Sequence, residues 1–131
     1  MIFRILTEEG ANYQIQLFFM KTCSDLFLYK DEISWCQAGA GVRRQILGFD
    51  NQIMLVKVEF EKGAVGSEHF HYHSQSTYVA SGVFEFTVDG ITKKVKQGDG
   101  IYIPPNVVHS TKCIEPGILI DAFSPMREDF I

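Results

Sequence analysis

From residue 69 to residue 75 the chain reads His69-Phe70-His71-Tyr72-His73-Ser74-Gln75, with an imidazole or an amide at every second position. A period of two is that of an extended strand, whose alternate side chains share a face with neighbours ~7 Å apart. Read this way, one strand face carries three imidazoles and an amide. The fourth histidine, His109, follows Gly98-Asp99-Gly100 and Pro104-Pro105, so every histidine of the chain belongs to one of two clusters. Such clustering points to bound chemistry rather than to scattered packing.

The remainder of the chain supplies a β framework for that strand. Over Met54–Phe60, apolar Met54, Val56, Val58 and Phe60 alternate with Leu55, Lys57 and Glu59, as a half-buried strand requires. Residues 42–47, 78–80, 83–88, 91–95 and 118–123 read as further strands. Asp89-Gly90 is a hairpin turn signal, Ser124-Pro125 ends the last strand, and Pro104-Pro105, which cannot donate ladder hydrogen bonds, marks an edge or a strand start. Residues 31–41 form a turn-rich entry. Short, closely spaced strands with turns between them imply an all-β sandwich or barrel. At 131 residues, 46% of them hydrophobic and eleven of them Phe, the chain has material for one domain with a real core. Residues 15–20 could add an edge strand, yet Met20-Lys21 also resembles a translation start. Residues 1–19 are therefore expected to be a separable extension and residues 20–131 the domain.

Charge and composition exclude several partners. A net charge of −4 with a pI near 5.5 leaves no basic stripe for nucleic acid or an anionic membrane. No apolar run approaches a membrane span, and Glu8 and Glu9 are wrong for a secretory signal. Cys23, Cys36 and Cys113, an odd set without a pairing pattern, fit free thiols in a reducing cytoplasm.

The two histidine segments resemble the two motifs of the cupin family, G-x5-H-x-H-x3,4-E-x6-G and G-x5-P-x-G-x2-H-x3-N. Gly63, His69, His71 and Gly82 fit the first, with Gln75 where the family usually has Glu. Gly98, Pro104 and His109 fit the second, with Asn106 in place of Gly and Cys113 in place of Asn. Sliding the register to His71 and His73 would put Thr77 at the carboxylate position and Phe84 at the closing Gly, so His73 is the spare. The stretches 41–47, 60–66 and 119–130 narrow the resemblance to the small pectin-degradation cupins of the KdgF type.

That resemblance implies a single-domain jelly-roll barrel, the cupin double-stranded β-helix, often as a homodimer. It implies one divalent transition metal, Zn, Ni, Fe or Mn, on His69, His71, Gln75 and His109. It also implies active-site roles for Asp121, Phe123 and Arg127, on a small sugar acid. The reaction would be the ring opening of 4,5-unsaturated uronates, from pectin or alginate breakdown, to 5-keto-4-deoxyuronate. Asp121 would be the acid/base, Arg127 the planar fork for a carboxylate and Phe123 an apolar wall. Three imidazoles and an amide bring no negative charge, so the metal's full double charge would face the cavity and favour anionic ligands. The competing readings are a non-catalytic cupin binding a metal or a sugar acid and, further off, a cupin dioxygenase, for which a shell containing a carboxylate is expected. The Asp121 and Arg127 pair separates the enzyme from a pure binding module.

Overall fold

The computed structural model describes residues 23–131. The readings for residues 1–19 and for the strand at 15–20 lie outside the described residues. Eight strands join in one antiparallel hydrogen-bonded sheet: β1 (Cys36–Gly39), β2 (Val42–Phe49), β3 (Met54–Phe60), β4 (Val65–His69), β5 (Ser74–Val88), β6 (Ile91–Lys96), β7 (Gly100–Ile103) and β8 (His109–Ser124). A single 3-10 turn, Glu128–Phe130, follows β8. No described helix is long and apolar enough to cross a membrane.

The order along the ladder is β1-β2-β3-β8-β5-β6, with β4 branching from β8 and β7 from β5. No ladder joins β1 to β6, so the sheet does not close, and the jelly-roll barrel expected from the sequence is corrected to an open, branched all-β sheet. The reason lies in the two longest strands. Near its C-terminal end β8 runs between β3 and the first part of β5, whereas its first part runs between β4 and the second part of β5. The β5–β8 register shifts between Val79 and Phe84, an irregularity of the kind that bends a strand. Two arms therefore share strands across a bend instead of meeting at their outer edges. Alternation in a sequence tells which face is buried; it does not tell whether edges pair.

The bend depends on glycine. Gly82 has φ of +85°, and a Cβ there would lie 2.7 Å from Glu115 O, Pro116 O and Gly117 Cα. A Cβ on Gly117 would overlap the Ser81 carbonyl. Gly82→Ala should therefore cost about 3 kcal/mol from left-handed backbone strain and overpacking combined. Thermal denaturation should show a midpoint lower by on the order of 10 °C; an unchanged midpoint would mean that the crossing has slack.

Between the arms lies the core. Phe60 of β3 meets Phe84 of β5 edge-on, ring centroids 5.3 Å apart, within a cluster that includes Val42, Val79, Ile103, Cys113 and Leu119. A smaller cluster gathers Met54, Val56 and Phe123, with Phe130 of the 3-10 turn packed on it. At the β5–β6 hairpin, Asp89 and Gly90 both have positive φ, the conformation that an Asp-Gly turn favours. All three cysteines are free, Cys113 buried and the others exposed.

Candidate functional site

Strand β4 ends at His69 and β5 begins at Ser74, so residues 70–73 turn rather than extend. The single strand face of three imidazoles read from the sequence does not form. Instead the turn keeps the His71 ring 5.6 Å from that of His69 and 5.3 Å from that of His73, whose Nε2 is directed to Glu128. His69 pairs in register with His109, the first residue of β8. Ring centroids are 4.2 Å apart for His69 and His109, 5.0 Å for His71 and His109, and 5.6 Å for His69 and His71. One ring nitrogen from each of the three lies within 4.8 Å of the others.

Backbone carbonyls set the orientation of these rings. The Nδ1–H of His69 donates to Ser67 O at 2.7 Å, that of His109 to Val107 O at 2.8 Å, and Nδ1 of His71 faces His73 O at 3.1 Å. A carbonyl accepts only, so the proton is fixed on Nδ1 and the Nε2 lone pair is left for a metal, the usual arrangement around a ligating histidine. Nε2 of His109 is buried without a hydrogen-bond partner.

A second observation supports the fit to a cation. Nε2 of His71 lies 3.0 Å from Gln75 Oε1. The Gln75 amide cannot simply flip, because its Nε2 donates to Thr77 Oγ1 at 3.0 Å, and that hydroxyl donates to Asp121 Oδ1 at 2.6 Å. His71 thus faces an acceptor oxygen at each ring nitrogen. Desolvation, then the nearby Arg127 charge, push its pKa down to about 4, so at neutral pH it has one N–H for two oxygens. A cation held between Nε2 and Oε1 removes the conflict. His69, His71, His109 and Gln75 suit a divalent transition metal in both donor type and geometry.

Asp121 lies directly opposite Thr77 across the β5–β8 pairing, and Gln75 opposite Phe123. Burial raises the Asp121 pKa from 3.8 to about 6, against the pull of hydrogen bonds from Thr77 and Gln75 and of the Arg127 charge. Phe123 stands edge-on to His71 at 5.7 Å. Arg127, beyond Pro125, reaches back so that its guanidinium lies 5.3 Å from the Phe123 ring and 4.2 Å from that of Phe130. His69, Gln75, His109, Asp121, Phe123 and Arg127 line one cavity.

His73 is buried beside the three-histidine cluster, its ring 5.3 Å from that of His71, with its Nε2–H donating to Glu128 Oε2 at 3.0 Å. Tyr72 stacks on it and donates to Glu128 Oε1 at 2.8 Å. The spare histidine thereby ties the turn carrying His71 to the C-terminal 3-10 turn. His73, Glu128 and Asp129 also approach within 4.8 Å, but Glu128 is engaged by His73 and Tyr72, and Asp129 by Arg127. Thr77 and Arg44 also belong to the site and went unread in the sequence. Thr77 was signalled by sharing a strand face with Gln75, and Arg44 by sharing one with apolar Val42 and Ile46.

Comparison with known proteins agrees with this architecture. The profile of the family described as "Cupin domain" matches residues 56–123. The chain is 39% identical over 107 residues to the pectin degradation protein KdgF of Dickeya dadantii (strain 3937), covering 80% of this chain and 97% of that one. Among solved structures, an RmlC-like cupin from Shewanella frigidimarina NCIMB 400 superposes with a TM-score of 0.82 at 44% identity, covering 84% of this chain and 99% of that one. KdgF from Halomonas sp. gives 0.78 at 34% identity, covering 82% and 100%. With its paired histidine segments and sheet matched over nearly the full length of these relatives, the chain belongs to the cupin family and is a close relative of the KdgF proteins.

Proposed function

We propose that the protein opens the ring of 4,5-unsaturated uronates to give 5-keto-4-deoxyuronate. The observation that carries this reading is Asp121, a buried carboxyl with a pKa near 6, held through Thr77 and Gln75 beside three converging imidazoles. Kinship with proteins named for pectin degradation supports the substrate class.

The proton balance of the reaction suits one carboxyl. The anomeric hydroxyl loses its proton, the bond from C-1 to the ring oxygen breaks, and the ring-oxygen electrons form an enolate across C-5 and C-4. Protonation at C-4 then gives the 5-ketone. One proton leaves O-1 and one arrives at C-4, with no oxidant or co-reactant. Asp121, ionised at the start, can accept the first and return it, and a pKa close to working pH serves both transfers. A metal held by His69, His71, Gln75 and His109 would supply Lewis-acid polarisation of substrate oxygens. Phe123 would wall the sugar from water, and Arg127 adds positive charge to the cavity lining. A small sugar acid is thus the proposed ligand; homodimer assembly and a cytoplasmic location, as in the sequence reading, belong to the same proposal.

Metal-loaded protein should consume the ring-olefin absorbance of unsaturated galacturonate. Because Asp121 must be ionised in the free enzyme, kcat/KM should rise with pH and level off above an acid midpoint that the metal's charge draws below the value of about 6 set by burial. Loss of absorbance with no such acid limb would separate the reaction from Asp121; no loss at any pH would leave a binding module.

A further inference from the structure

Arg43 and Arg44 are neighbours in β2 with opposite environments. Arg43 is exposed, paired with Glu59 at 2.8 Å and stacked on Trp35 at 4.0 Å. Arg44 is in register with Val58 of β3 and lines the same cavity as His69, His109 and Asp121. Its guanidinium carbon lies 3.7 Å from the centre of the Phe130 ring, and that of Arg127 lies 4.2 Å from the centre of the same ring. Two guanidiniums therefore share one ring and one cavity.

Their partners differ. Arg127 is gripped by Asp129 along one edge, Nε to Oδ1 at 2.9 Å and Nη2 to Oδ2 at 2.8 Å. That side-on edge is therefore taken, and only the end-on Nη1/Nη2 edge of Arg127 is left for a substrate carboxylate. The Nε of Arg44 is buried with no hydrogen-bond partner among the described residues. A buried donor left unmet is costly, and a guanidinium does not escape by deprotonation. Burial and the repulsion of Arg127 both press on the Arg44 charge. Asp129 thus engages Arg127 and leaves the Nε of Arg44 unmet.

We propose that Arg44 is the residue that binds the carboxylate of the uronate, while Arg127, engaged by Asp129, is chiefly a positioning charge. The assignment rests on the ring-opening reading for the identity of the ligand. It also suits the chemistry. When the ring oxygen takes the electrons of the breaking bond, an oxyanion forms on the carbon that bears the carboxylate, so two negative charges stand side by side. A pair of guanidiniums answers such a dianion better than one.

The test uses metal-loaded full-length protein and calorimetric titration with D-galacturonate, which lacks the olefin, and with neutral D-galactose. The unmutated protein should favour the acid. Arg44→Gln should lower affinity for galacturonate roughly 10- to 100-fold, the range for losing a hydrogen bond to a charged group, and leave galactose unchanged. Arg44→Lys, which keeps charge without the fork, should fall between. Nitrogen-resolved NMR of the unmutated protein makes the test independent of how the variants fold: the Arg44 Nε–H signal should shift with galacturonate and not with galactose. An unshifted Arg44 signal, undiminished acid preference in Arg44→Gln, or no acid preference in the unmutated protein would overturn the assignment. Ring opening with Arg44 undisturbed would overturn it alone. Acid binding through Arg44 without ring opening would support it and overturn the catalytic reading instead.

Discussion

Asp121→Asn should lower turnover on unsaturated galacturonate by a factor of ~10² to 10⁴, the usual worth of a positioned acid/base. The amide keeps an oxygen to accept the Thr77 hydroxyl, so the chain from Gln75 through Thr77 survives and metal content should be unchanged. KM should move little, since the group acts on protons in flight rather than on the bound sugar. Stability provides a control against a merely structural explanation. With its pKa raised from 3.8 to about 6, Asp121 keeps its proton in the fold at pH values where the unfolded chain has lost it. Its contribution to stability is therefore full below about pH 4, falls as pH rises to about 6, and stays low above that. An amide does not ionise and escapes this loss. The Asn variant should melt no lower than the parent at pH 7 while being catalytically crippled, and near-parental turnover would refute the acid/base role.

His69→Ala should act on the metal instead. His69 is exposed at the end of β4, so its removal leaves no cavity, and metal-free parent and variant should melt alike. Losing one of three imidazoles should weaken metal binding by more than the ~10- to 100-fold that loss of a mere outer-shell partner costs. After desalting, metal analysis should give close to one ion per chain for the parent and far less for the variant, with activity falling in proportion. A variant that retains stoichiometric metal would show that His71, His109 and Gln75 suffice without it.

How much of this was legible in the sequence differs from residue to residue. The two histidine clusters, the inward parity of Asp121 with Phe123 and the Asp89-Gly90 hairpin followed from spacing and alternation, because those depend on neighbours in the chain. Strand boundaries were harder. Residues 78–80 and 83–88 read as two strands separated at Ser81-Gly82, yet β5 runs through both, since glycine there serves a bend rather than a stop. His71 and His73 were read as sharing a face because alternation alone cannot reveal that residues 70–73 turn. The open sheet was misread as closed because edge pairing is a long-range property. Arg44 carried a local signal, a charge between apolar Val42 and Ile46, but its meaning needed Phe130 and Arg127, more than eighty residues away in the chain.

Proton NMR of metal-loaded protein acting on unsaturated galacturonate in deuterated water tests the central claim most directly, because it follows the proton that Asp121 is said to move. The olefinic C-4 signal should vanish and be replaced by a saturated C-4 carrying deuterium from exchanged solvent protons, with no oxygen incorporated. Persistence of the olefinic signal, in protein whose histidines hold a full complement of metal, would contradict the account.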